Sequence, residues 1–487
     1  MIVMATRTGQ EYLAGLNDGR EVWYDGKRVE DVTRFGPMAA AVRSTAALYD
    51  LQHDPAHRET LTVECPALGE RIARPFEIPR TREQLKAKRE AYLIWARATC
   101  GMMGRSPDFL NVMMMSLAAK ESFFAECSPA RAEAVTAYYR HVARKDLFLT
   151  HALLDPQLDK GKARHQQDDP DIPLRVIERN SEGLVVHGVK RIATAAPYAD
   201  EILVWPFPPT FQPGEEAYAN VFAIPMNTKG LKTLCRPSFA ATQGLRADHP
   251  LSSQFDELDA TVIFDHVLVP WDRVFLHEDI RFLNRMYRDT RMREFTAHQT
   301  NARLEAKMGF LYALINRMTE VSGYAQKSDM MEMLGEAVAC LEVIRSTTRS
   351  AEEQATVDPE NNVIYPDLFA LQAGRALGPV FYPKLVNMLR KVGGGGLIQL
   401  PVSLSEFSSP IGFELEQSLR GAGTSGEAKA RLFKLAWDVC GSEFGSRHEL
   451  YEMNYAGERG ALLAGIQREY GRKQFYTEQL DRFMETV

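Results

Sequence analysis

One full charge, Arg105, stands in the run Gly101-Met-Met-Gly-Arg105-Ser-Pro-Asp108-Phe109-Leu110, between two methionines and an apolar segment that reaches Leu117. Desolvating an unpaired guanidinium is costly. Arg105 therefore either pairs with a nearby carboxylate, or orients an anion or polarises an oxygen in an apolar pocket. Pro107 suits a first helical turn with Ser106 as N-cap, which would aim Arg105 outward from the start of that helix. Two histidines are candidates to work beside it. His151 (Thr150-His151-Ala-Leu-Leu-Asp155-Pro156-Gln157) closes a helical region and is either a solvated helix-end residue or a base at a domain seam. His298 (Phe295-Thr-Ala-His298-Gln299) opens another helical region with the same two readings. Thr194 ends a strand shortly before Pro197 and is bland by itself. Ser446 and Arg447 lie in Phe444-Gly-Ser446-Arg447-His-Glu-Leu-Tyr451-Glu452, two bases and two acids around a Gly-Ser turn, which surface charge pairing also explains.

The elements that must position these residues change period along the chain. Residues 1–150 read as mainly helical, with amphipathic runs over 81–98 and 128–147 and a short hairpin at Tyr24-Asp25-Gly26-Lys27. A polar, Pro-containing loop (157–173) leads into a middle region, 151–278. There, strand candidates cover 174–194 around an Asn180–Gly183 turn, then 201–205, 218–225, 231–236 and 258–269. Short strands with turn punctuation and no intervening helices predict an antiparallel barrel or sandwich. Residues 279–487 read as a helical bundle, with long periodic stretches at 296–324, 328–357, 366–393 and 427–447. The fold class is α+β and multidomain. The order of helices, β-barrel and four-helix bundle resembles the acyl-CoA dehydrogenase-like flavoproteins.

Composition narrows the function. The 487 residues are 45% apolar and 25% charged with net charge −6, so there is no general basic field for nucleic acid or an anionic membrane. No apolar run reaches the ~20 residues of a membrane span, and Met1 to Tyr12 lacks a signal-peptide apolar region. Six scattered cysteines without CxxC spacing fit reduced thiols in a cytoplasmic protein. Gly421-Ala-Gly423-Thr-Ser-Gly426 matches GxGxxG, but helical sequence precedes it. Thr424 or Ser425 capping the next helix explains it better than a dinucleotide site. Gly393–Gly396 reads as a loop between bundle helices. There is no GxSxG, HExxH or EF-hand pattern, and no metal site is expected.

Five blocks in consistent order carry a resemblance: 101–108, 150–152, His249-Pro-Leu-Ser-Ser253, Phe264-Asp265-His-Val-Leu-Val-Pro270-Trp271 and 441–452. Together they resemble the 4-hydroxyphenylacetate 3-monooxygenase family, the oxygenase components of two-component aromatic hydroxylases. The resemblance implies a homotetramer built through the bundle and FADH2 (reduced FAD) delivered by a separate NAD(P)H-dependent reductase. It also implies O2 as cosubstrate, a flavin C4a-hydroperoxide, and hydroxylation of a phenol ortho to its hydroxyl. By position it implies Arg105 beside substrate and flavin, His151 on the phenolic hydroxyl, Gln157 and Thr194 along the flavin, and Ser446 and Arg447 in a C-terminal flavin contact. His298 and Phe109 are candidates to line the substrate. A histidine with a pKa near neutrality would serve as base there, and methionines would keep the site dry.

Phe109 departs from the tyrosine typical of that family, which withholds a donor from the substrate hydroxyl. The acceptor is then 4-hydroxyphenylacetate-like, a tyrosine derivative or hydroxycinnamate, with chloro- or nitrophenols or a heteroaromatic as the alternative. A 4-hydroxybutyryl-CoA dehydratase shares the fold but needs cluster thiolates. Cys100 is followed four places on by Gly104, and Glu305 stands where that family needs a cysteine, seven residues after His298. A non-catalytic flavin-binding scaffold is the other alternative.

Overall fold

The computed structural model describes residues 3–207, 210–454 and 458–487. The hairpin legible at Tyr24–Lys27 pairs Glu21–Tyr24 with Lys27–Val29, with Asp25 and Gly26 both at positive φ as a tight two-residue turn requires. It does not stay local. Glu21–Tyr24 adds in parallel to Leu231–Cys235 and so extends a six-stranded sheet whose order continues through Asp259–Pro270 and Gly183–Thr194 to Arg175–Arg179. A second, four-stranded sheet runs Val274–His277, Asn220–Pro225, Glu201–Val204, Leu149–Ala152.

The two sheets share one apolar core. Leu184, Val186 and Val262 from the larger sheet meet Ile202, Val204 and Ile224 from the smaller, and Phe222 touches Phe264 edge-on across the gap. Among the described residues no ladder joins the outer strands of either sheet. The middle region is thus an open two-sheet stack, the sandwich of the two designs that its strand pattern predicts, and not the closed barrel of the resembled layout. Short alternating strands are common to both designs, and only pairing of the edges would close the circle.

On either side lie helices. Arg82–Ala98 begins with a reciprocal cap between Thr81 and Gln84. Pro107–Ala119 is buried along its whole length, as its Leu110–Leu117 composition predicts. In the bundle, Met292–Val321, Ser328–Glu353, Leu368–Gly393 and Gly426–Cys440 enclose a core that includes Met308, Ile315, Ile344, Leu385 and Phe433. Ser425 caps the last of these, as read from the GxGxxG run. The stretch predicted to continue to 447 breaks after Cys440, where Ser442 Oγ accepts from the Gly445 amide at 3.0 Å and starts a new helix, Glu443–Asn454. That break re-aims Arg447. Among the described residues no helix is long and apolar enough to cross a membrane.

Candidate active site

Arg105 is placed from both sides. Behind it, Pro107 begins the helix as predicted, but Ser106 does not cap it. Its hydroxyl instead donates to Asp108 Oδ1 (2.6 Å), while Asp108 Oδ2 accepts from Gln299 (3.0 Å) and so ties this turn to the Met292–Val321 helix. Burial raises the Asp108 carboxyl to about 6. In front, the fully buried Glu257 accepts the Gly104 and Arg105 amides at 2.8 and 2.6 Å. The carboxylate thus grips the backbone, and the guanidinium is left to other partners.

Those partners are informative. Arg105 Nε donates to His151 Nε2 at 2.9 Å, Nη1 donates to the Tyr451 hydroxyl at 3.2 Å, and the guanidinium carbon lies 4.2 Å from the centre of the Phe109 ring. His151 is carried on Leu149–Ala152, whose parallel pairing sets it opposite Leu203. Phe109 and Trp205 flank its ring. An arginine N–H can only donate, so Nε2 must accept and the neutral ring carries its proton on Nδ1. Nδ1 is buried with no hydrogen-bond partner among the described residues. Burial first, and Arg105 second, hold the His151 pKa well below 6.5. The near-neutral base expected at 151 is therefore a neutral donor.

A second cluster adjoins the first. Thr194 lies opposite Asp259 in the sheet register, and its hydroxyl donates to Asp259 Oδ1 at 2.7 Å. Arg447 reaches the same carboxylate through Nη2, at 2.8 Å to Oδ1, and through Nε, at 3.2 Å to Oδ2. Arg236 binds it from a third side at 2.9 Å. Burial alone would raise the Asp259 pKa; the two arginines outweigh it and hold the group at about 2. Arg447 Nη1 stands 3.7 Å from Glu257 and has no hydrogen-bond partner among the described residues. Tyr451, one helical turn on, lies under the Arg447 guanidinium at 4.4 Å and bridges to Arg105. Glu257 and Tyr451 thus join the two clusters.

Arg105, Phe109, His151, Thr194 and Arg447 therefore form one connected group. Three other expected residues do not join it in these contacts. Gln157 is exposed on the loop after Leu149–Ala152. Ser446 is exposed and donates back to Ser442 O. His298 is fully buried, but its Nε2 faces Glu352 at 2.7 Å, with Arg89 on the same carboxylate oxygen. Its neighbour Gln299 takes the position facing Asp108. Glu257, Asp259 and Arg236 were missed. The available signal was Asp256-Glu257-Leu258-Asp259, three acids in four residues at the start of an apolar strand, which demands buried cations nearby.

Two polar atoms lack a hydrogen bond among the described residues, a donor at His151 between Phe109 and Trp205 and a guanidinium nitrogen of Arg447 that faces Glu257 at 3.7 Å. Such a donor set suits a bound group with anionic or carbonyl oxygens and an aromatic body. Among the described residues no cluster of metal-ligating groups lies here.

Comparison with known proteins identifies the family. Residues 8–276 match the N-terminal family of 4-hydroxyphenylacetate 3-hydroxylase and residues 283–485 its C-terminal family. The oxygenase component of 4-hydroxyphenylacetate 3-monooxygenase from Thermus thermophilus is 40% identical over 98% of this chain and 97% of its own. The oxygenase component of 4-nitrophenol 2-monooxygenase from a Rhodococcus species is 33% identical over 93% and 87%. A crystal structure of a 4-hydroxyphenylacetate 3-monooxygenase oxygenase component, complexed with FAD and 4-hydroxyphenylacetate, superposes with a TM-score of 0.93 at 39% identity, covering 99% of this chain and 98% of that one. With nearly the whole chain matched and the fold acyl-CoA dehydrogenase-like, this protein belongs to the 4-hydroxyphenylacetate 3-hydroxylase family.

Proposed function

We propose that the chain is the oxygenase component of a two-component, FADH2-dependent monooxygenase that hydroxylates a phenol of the 4-hydroxyphenylacetate class ortho to its hydroxyl. The observation that carries this reading is the Arg105–His151 pair, a cation bonded to a buried imidazole whose Nδ1–H meets no hydrogen-bond acceptor among the described residues, set among Phe109 and Trp205. Reduced FAD, when bound, would supply the two electrons that activate O2, and O2 supplies the transferred oxygen atom. Thr194, Arg447 and Tyr451 would hold it, with Asp259 fixing the first two.

The chain's own contribution is to ionise and orient the phenol. A phenol ring is most nucleophilic at its ortho carbon when its oxygen carries negative charge. Arg105 lowers the energy of that charge, and His151 Nδ1–H can donate to the same oxygen. His151 already accepts from Arg105 and resists protonation, so the phenolic proton goes to solvent as the substrate binds. Buried methionines at 102, 103 and 113 exclude water around the site. Phe109 offers the substrate a hydrocarbon face and no hydroxyl, which favours a second reading, a chloro- or nitro-substituted phenol.

NAD(P)H oxidation belongs to a separate reductase, because the GxGxxG run here joins two helices, Gly412–Leu419 and Gly426–Cys440. Exposed apolar side chains at Leu450, Met453, Phe475, Leu480 and Phe483 support a homotetramer built through the C-terminal helices. The domain division 1–150, 151–278 and 279–487 and a cytoplasmic location complete the proposal. The first boundary falls within the Leu149–Ala152 strand.

The test supplies the protein with enzymatically reduced FAD and air and offers 4-hydroxyphenylacetate, tyrosine, 4-hydroxycinnamate, 4-chlorophenol and 4-nitrophenol. Catechol formed per FADH2 consumed, with most turnover on the carboxylated phenols, is the expected result. Hydrogen peroxide as the only product with every phenol would refute the proposal and leave a flavin-binding scaffold.

A further inference from the structure

Within the block Phe264–Trp271, Asp265 and His266 take no part in the site above. Their strand pairs with Gly183–Thr194 in a register that runs Phe264↔Gly188 and resumes at Val267↔Val186. Two residues, Asp265 and His266, therefore stand opposite one, His187. Such a bulge re-aims the side chains it carries, and His266 sits at φ 53°. Its ring centre comes to 4.7 Å from that of His187, tilted by 53°, and its Nδ1 lies 2.9 Å from Asp265 Oδ1. One ligand atom from each of the three residues lies within 4.8 Å of the others, and His187 Nδ1 is buried with no hydrogen-bond partner among the described residues. Asp265 is six residues along the strand from Asp259, roughly 20 Å at ~3.3 Å per residue. The cluster is thus remote from the flavin-facing group.

We propose that His187, Asp265 and His266 form a binding site for a divalent first-row cation of the zinc class, which clamps the bulge between the two longest strands of the sheet. Two imidazoles and one carboxylate are a borderline N2O set that suits Zn2+, Ni2+ or Cu2+ and disfavours Ca2+ and Mg2+, which take oxygen. Ligand atoms around a tetrahedral zinc lie ~3.3 Å apart, given bonds of ~2.0–2.1 Å. The exposed His266 and Asp265 can close the remaining gap by side-chain rotation, leaving at least one position to water. An ordinary Asp–His surface pair explains one imidazole. It does not explain the second one brought against it. Lys232 competes for the site, since its ammonium lies 2.9 Å from Asp265 Oδ2.

That competitor gives the test a direction. Tag-free, chelator-stripped protein is titrated with Zn2+ by calorimetry and with Co2+ by visible absorption. The wild type should take up a single equivalent with a tetrahedral or five-coordinate Co2+ spectrum. His187→Ala and His266→Ala should each weaken binding by ~10-fold or more, and Lys232→Ala should tighten it by removing the opposing charge. None of these residues touches the hydroxylation site, so coupled turnover in metal-free buffer serves as the folding control. No saturable uptake by the wild type, unchanged affinity in either histidine variant, or no gain in Lys232→Ala would each overturn the assignment.

Discussion

The tautomer of His151 can be tested by replacing each of its ring nitrogens separately. Arg105 Nε–H occupies Nε2 at 2.9 Å, so the proton on Nδ1 is the group a phenolate would meet. Asparagine places an amide N–H near the Nδ1 position and gives up the acceptor for Arg105. Glutamine reaches the Nε2 position, can still accept from Arg105, and gives up the donor. A hydrogen bond to a charged oxygen is worth ~1.5–3 kcal/mol, or about 1–2 units in the pKa of the bound phenol. Arg105 contributes more: a unit charge at ~4 Å with an effective dielectric of ~20 is worth ~4 kcal/mol before desolvation of the phenolate is subtracted. The assay is a spectrophotometric pH titration of 4-nitrophenol bound to the protein, whose phenolate absorbs in the visible. Wild type should hold it ionised well below its solution pKa. His151→Gln should raise the bound pKa by ~1–2 units and divert FADH2 to peroxide, and His151→Asn should retain more of the coupling. The same bound pKa in wild type and His151→Gln, or a glutamine variant that couples better than asparagine, would refute the donor assignment.

Phe109→Tyr should restore a donor beside Arg105; a net ~0.5–1.5 kcal/mol lowers the KM for 4-hydroxyphenylacetate ~2–10-fold, and an unchanged KM would show that position 109 does not face the phenol. In Gly104→Ala the new methyl would run into the Tyr451 ring and hydroxyl, so reduced-FAD affinity should fall at least ~5-fold, read by anaerobic fluorescence titration, with ~1 kcal/mol or more lost. Stability should depend on pH in a defined direction. His151 and His448 are held neutral well below 6.5, His151 by burial and Arg105, His448 by burial and then Lys307 and Arg447. The unfolded chain takes up those protons and the native state does not. Stability present at pH 7 is therefore lost as pH falls below ~6.5, at up to ~1.4 kcal/mol per pH unit for each histidine, and the buried Asp108, held at about 6, offsets part of that loss because the native state binds its proton first. Asp259 and Glu452, both held at about 2 by arginines and, for Glu452, also Lys307, add a further loss only as pH falls from ~4 toward 2. Equal urea midpoints at pH 7 and 5.5 would contradict this.

Local signals were legible where the physics is local. The Asp25-Gly26 turn, the Pro107 helix start, the Ser425 cap and nearly every middle-region strand follow from residue type and period. Ser106 shows the limit of that reading, because Asp108 lies two residues away and offers its hydroxyl a stronger acceptor than the helix amides offer as donors. His298 shows another. Successive helical residues point about 100° apart, and only the packed structure tells that Gln299 faces Asp108 and His298 faces Glu352. Closure of the middle sheets depended on edge pairing, which no strand's own sequence encodes. Glu257 and Asp259 act on residues more than sixty positions away in the chain, so only the resemblance identified Thr194 and Arg447, and nothing in it identified the carboxylates that hold them.

Those carboxylates change what the site residues are. Thr194 and Arg447 come from a strand end and a C-terminal helix, yet both hydrogen-bond to Asp259 Oδ1. Their positions are therefore one degree of freedom, set by the sheet register that pairs Thr194 with Asp259 and by the helix break at Gly441. Glu257, two residues earlier, does the same for the Gly104–Arg105 backbone and also faces Arg447. A single four-residue acidic run thus sets the distance between the group that would hold flavin and the group that would hold substrate. Oxygen transfer requires that distance to be held within about an ångström. Placing the run at the start of a strand paired on both sides within the larger sheet attaches that spacing to the hydrogen-bonded ladder of the sheet, whereas Gln157 and Ser446 stand exposed outside it.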